Sequence, residues 1–138
     1  MARWADEDGG GLADAERAQA VAAEARDHNS FIWALFQATW HIDSAVSPYV
    51  IEYLRRGREH LTSLGAPHVY IARICAGEAG GLLLHGEWRA CVERLRVVLG
   101  STPGPAPEAD ARLISAQLAC WQGRLTEAQA HFDRAEEL

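Results

Sequence analysis

From Leu12 onward, apolar residues return every three or four positions, and most prolines and glycines fall between these stretches rather than inside them. That recurrence is the signature of amphipathic helices, and no alternation of period two is sustained between turn signals. The clearest stripe is Trp88, Cys91, Val92, Leu95, Val98 and Leu99. The pattern predicts an all-α chain of seven helices at 12–27, 30–44, 48–64, 67–85, 87–99, 108–122 and 125–137. Pro48, Pro67 and Pro107 sit at or near predicted helix starts, where a missing N–H is harmless. Gly65, Gly86, Gly100 and Gly123 sit where helices should stop.

Most connections are short, so consecutive helices should lie antiparallel. The exception is GSTPGPAP at 100–107, a stiff loop. Residues 1–11 are polar and glycine-rich and are expected to be a flexible segment ahead of one helical domain over 12–138.

The second half of the chain repeats itself. Gly86 and Gly123, Cys91 and Ala128, Leu95 and Phe132, and Val98 and Ala135 each stand 37 positions apart, as do Ala79 and Ala116 further upstream. Each copy reads glycine, a large apolar residue two places on (Trp88 or Leu125), a small residue, a large one four later, and an apolar one three beyond. The glycine permits a sharp reversal, and the small residue lets the second helix approach the first. One such hairpin cannot bury its stripe alone, so neighbours must stack.

This pattern resembles the tetratricopeptide (TPR) repeat. Gly123, Leu125, Ala128, Phe132 and Ala135 match that motif position for position; Gly86, Trp88, Cys91, Leu95 and Val98 match it more loosely. The best-matched repeats are 67–100 and 108–138. The 37-residue offset exceeds the family period of about 34, and the GSTPGPAP loop has room for the difference. The resemblance implies a TPR-like antiparallel helix-pair solenoid. It also implies a groove lined by the first helix of each pair, here Arg73, Ala76, Gly80, Leu83 and Leu84, then Asp110, Leu113, Gln117, Cys120 and Trp121. The set has none of the dense Lys/Arg clamp that would hold an acidic peptide terminus. In style, YLRRGREHLTSLGAP and ARLISAQLACWQGRLTEAQAHFDRA are similar to the helical-repeat region of LuxR-type (MalT-like) bacterial transcriptional regulators. The alanine-rich opening helix and the uncapped Glu136-Glu137-Leu138 read as a segment of a longer repeat array.

Composition narrows the function. With a net charge of −6 and a pI near 5.4, the chain is a poor candidate for direct nucleic-acid binding, which wants a basic face. No apolar run approaches the roughly 18 residues of a membrane span, and the N-terminus has no signal core, so a cytoplasmic location is expected. Cys75, Cys91 and Cys120 are odd in number and far apart, which argues against disulfides or structural zinc. There is no GxxxxGK[ST] loop, GxSxG elbow or HExxH, and Gly9-Gly10-Gly11 lacks the preceding strand of a phosphate cradle. His41 and Asp43 are the closest His/carboxylate pair, but two residues apart on a helix they point to different faces.

The segment SFIWALFQATWHIDSA is apolar on almost all sides. Two readings stand: a central helix packed between neighbours, or an aromatic surface of Phe31, Trp33, Phe36 and Trp40 for self-association as a homodimer. Gly77, Gly80 and Gly81 inside one helix likewise suit either close packing or the approach of a bound backbone. The expectation is a non-enzymatic interaction module without cofactor or metal. It would recognise a protein, peptide or small inducer as part of a LuxR-type regulator, with no direct contact to nucleic acid or membrane. The alternatives are a free-standing TPR-like scaffold that self-associates, and a small helical enzyme.

Overall fold

Four helix ends close on one and the same hydrogen-bonded turn in the computed structural model, which describes residues 2–42 and 48–138, with the backbone alone for residues 2–9. Among the described residues there are seven helices: α1 (Ala2–Glu24), α2 (His28–Trp40), α3 (Pro48–Ser63), α4 (His68–His85), α5 (Trp88–Leu99), α6 (Pro105–Trp121) and α7 (Leu125–Glu136). After α1, α3, α4 and α6 the chain reverses by a crossed pair of backbone bonds. In α4 the Gly86 N–H donates to Leu83 O (3.1 Å) and the Glu87 N–H to Leu82 O (2.9 Å). This Schellman turn needs a left-handed residue. Gly65, Gly86 and Gly123 supply it with φ of 68°, 84° and 74°. After α1 the residue is Arg26, at φ 54°, a conformation that disfavours a side chain.

The chain divides into two compact units, Met1–Ala66 and Pro67–Leu138. In the first, α2 packs against both α1 and α3. The start of α2 is fixed by Asp27, whose carboxylate accepts from the Ser30 N–H (3.1 Å) and hydroxyl (2.5 Å). Those bonds hold the Asp27 carboxyl below its ordinary pKa. Ala15 and Ala22 of α1, Phe31, Ile32, Leu35 and Ala38 of α2, and Val50, Leu54 and Leu61 of α3 are buried. Gly57 allows α3 to approach α2: a Cβ there would stand 2.6 Å from Leu35 Cδ1.

In the second unit, α4 and α5 form one hairpin and α6 and α7 another, and α6 packs against both α4 and α5. The shared core is rich in small residues: Ala72, Cys75, Ala76, Ala79, Leu83, Cys91, Leu95, Val98, Ala111 and Leu118. Alanine and cysteine at these places bring helix backbones close, where dispersion contacts are dense.

Several boundaries move from the sequence expectation. Helical backbone begins at Ala2 rather than at residue 12 and runs through Gly9, Gly10 and Gly11. Each glycine weakens a helix by about 0.5–1 kcal/mol relative to Ala. One of them has a packing partner: a Cβ on Gly11 would stand 2.7 Å from His41 Nε2. Helix α6 starts at Pro105, not 108, because both Pro105 and Pro107 fall in the first turn, where no N–H is required. Helix α2 ends at Trp40, short of residue 44; Asp43, half of the His41/Asp43 pair, lies outside the described residues, as does the side chain of Trp4. No described helix is long and apolar enough to cross a membrane.

Candidate interaction surfaces

The 37-residue repetition extends to the hydrogen bonds. The Gly123 N–H donates to Cys120 O (3.0 Å) and the Arg124 N–H to Ala119 O (2.8 Å), as Gly86 and Glu87 do to Leu83 and Leu82. The Cys91 N–H bonds to Glu87 O and the Ala128 N–H to Arg124 O, so each second helix starts in the same register. Ala79, Ala116, Cys91 and Ala128 are all buried, which is where the two arms of each hairpin meet.

The residues expected along the first helices do not share one environment. Arg73 of α4 lies near Asp110 of α6: burial raises the Asp110 carboxyl above its ordinary pKa, and the Arg73 charge acts against that rise. A Cβ on Gly80 would stand 3.7 Å from Ile114 Cδ1, an ordinary contact that marks the close crossing of α4 and α6. Gln117 is exposed, and Trp121 is about half exposed. Trp121 stands 6.4 Å, ring centroid to ring centroid, from Trp88. Together they make an aromatic corner between the ends of the two hairpins. Ala76 and Leu83 are buried in the core instead of lining an open face, because α6 packs on that side of the first hairpin. Leu113 and Cys120 are exposed.

The aromatic set of α2 also splits. Phe31 is buried against the His60 ring, centroids 5.5 Å apart. Phe36 is half-buried, while Trp33 and Trp40, two turns apart, are exposed.

Two features escaped the sequence reading. A cavity of about 310 Å³ in the first unit is lined by Phe31, Leu35, Gly57 and His60, with Gln19 donating to the Tyr53 hydroxyl (2.8 Å) at its edge. A cleft of about 510 Å³ in the second has an apolar wall of Val92, Leu95, Leu99 and Leu118 facing Arg96, Arg124 and His131. Arg112 reaches His131 Nδ1 at 3.4 Å, tying α6 to α7. Burial, followed by the Arg112 charge, lowers the His131 pKa. These polar groups are spread over three helices and leave no mark in local spacing. Among the described residues, no group of three His, Cys, Asp or Glu could hold a metal ion.

No family model matches the chain, and no curated protein or solved structure does either.

Proposed function

We propose that the chain is a TPR-like solenoid segment that acts as a non-enzymatic interaction module, and that it belongs to a bacterial transcriptional regulator of the LuxR type. The observation that carries the reading is the hairpin repeated at 37 residues, with its turn bonds, its small residues and its packing of one first helix on the preceding pair. Stacked hairpins of this kind present extended surfaces rather than a single deep pocket. The surface favoured for a protein, peptide or small inducer is the side of α4 and α6 that carries Arg73, Asp110, Gln117 and the Trp88–Trp121 corner. Half-exposed tryptophans suit anchoring at low entropic cost.

The parent reading frame tests the regulator reading: it should encode an ATPase module and a helix-turn-helix module around this segment. In that protein, Trp121→Ala and Arg73→Glu should abolish induced expression of a target promoter and leave basal expression unchanged. A frame without either module ends the regulator reading. An induced response indifferent to both substitutions ends the proposed surface.

A further inference from the structure

The second unit holds a cleft that the stacking of a further hairpin would leave open. Helix α5 packs on α4 and α6, and α7 packs on α6, but α5 and α7 do not pack on each other. The gap between them is the cleft of about 510 Å³. Leu118 of α6 lies at its floor, Val92, Leu95 and Leu99 of α5 form one wall, and Glu127 and His131 of α7 form the other. A hairpin stacked on α6–α7 as that pair is stacked on α4–α5 would rest on Leu113, Cys120 and Phe132. These stand 37 positions after Ala76, Leu83 and Leu95, which α6 covers in the first hairpin. None of Leu113, Cys120 and Phe132 lines the cleft.

The charges around the cleft do not cancel. Arg124 pairs with Glu127, and Arg112 lies 3.6 Å from Glu108. Arg96 also lines the cleft, and among the described residues it has neither an ion pair nor a hydrogen bond. A second donor is unmatched too. Arg112 can only donate, so Nδ1 of His131 accepts from it and the neutral ring carries its proton on Nε2. That Nε2 is 3.9 Å from Glu127 Oε1, beyond hydrogen-bond reach, and has no other acceptor among the described residues. One free cation and one free N–H beside an apolar wall, in a space of small-molecule size, suit a ligand with a single negative charge on an apolar chain. We propose that the cleft binds a small amphipathic carboxylate, its chain against the half-buried Val92 and Leu99 and its carboxylate accepting from Arg96. A phosphate monoester would bring a second charge with no cation left to match it. This site is separate from the surface on α4 and α6 and does not rest on the regulator reading.

Isothermal titration calorimetry of the whole chain with octanoate at neutral pH tests this, with octanol as the uncharged control. Octanoate should bind in equimolar ratio, and octanol about tenfold more weakly, because it lacks the charge that strengthens the bond to a guanidinium. Arg96 is exposed, so Arg96→Gln should fold, which circular dichroism verifies. It should weaken octanoate by about tenfold and leave octanol unchanged. Arg17→Gln removes the same charge at an exposed place on α1 and should change neither. On saturation with octanoate the ring resonance of His131, identified by its loss in His131→Gln, should move. The ring of His60, which lines the cavity of the other unit, should not. The absence of both heat and resonance shift at millimolar octanoate overturns the proposal. So do equal affinities for octanoate and octanol, equal losses in Arg96→Gln and Arg17→Gln, or a shift confined to His60.

Discussion

The Glu78 carboxylate of α4 is buried, and its Oε2 lies 3.8 Å from Nε of Arg94 on α5, so a charged pair spans the first repeated hairpin. Removing the partner of a buried charge is more damaging than the pair is stabilising, because the remaining charge stays desolvated. Arg94→Met should therefore destabilise the fold by roughly 1–3 kcal/mol. Replacing both residues, Glu78→Gln with Arg94→Met, should restore part of the loss. Urea unfolding of the single and double variants checks the ordering.

Gly57 and Leu35 make a prediction of the opposite kind. Gly57→Ala gains helix propensity of about 0.5–1 kcal/mol. The new methyl would press on Leu35 Cδ1 and Cδ2, and Leu35 is itself enclosed. Overpacking of this sort costs about 1–3 kcal/mol, so the net effect should be a lower melting temperature. A raised one would show that Leu35 has room to move.

The repeat register can be tested at adjacent positions. Ala128 is buried at the contact between α6 and α7, while Gln129 is exposed. Ala128→Leu should destabilise by roughly 1–3 kcal/mol, and Gln129→Leu should stay within about 0.5 kcal/mol of wild type. Equal effects would mean that the small position does not set the approach of the two helices.

The three thiols should separate by reactivity. Cys120 is exposed, whereas Cys75 and Cys91 are buried and burial pushes the Cys91 thiol up to about 11. At pH 8 a thiol-specific reagent should modify Cys120 quickly and the other two only after denaturation. Cys120→Ser should remove the fast phase alone.

His131 predicts a pH dependence. Its folded pKa lies below the ordinary 6.5, so the unfolded chain binds the proton more readily. This contribution to stability is fully present above pH 6.5 and declines as the pH falls through that value toward the folded pKa. His131→Gln should flatten the stability profile between pH 7 and pH 5. Thermal melts at half-unit intervals would show it, and an unchanged slope would assign the acid sensitivity to other groups.

The helices and their hairpin pairing were legible in the chain because both are local. Trp88, Cys91, Leu95 and Val98 recur at helical spacing, and Gly86 and Gly123 announce reversals that only a left-handed residue completes. Arg26 was not legible as a reversal, since nothing about an arginine signals a left-handed backbone. Which apolar residues are covered was decided by tertiary packing alone. Leu83 and Cys120 hold the same place in the repeat, yet one is enclosed and the other open, because α6 lies over the first hairpin and no described helix lies over the second. Phe31 and Trp33 sit two positions apart in one apolar segment, and the angle of 100° per residue sends the first into the core and the second outward. A periodic pattern specifies a face; only the neighbour that arrives from elsewhere in the chain determines whether that face becomes core or surface. The pairings of Glu78 with Arg94 and of Arg112 with His131 lie inside the two hairpins whose reversals the glycines announce, but which side chains meet across each hairpin was decided by how its two arms pack.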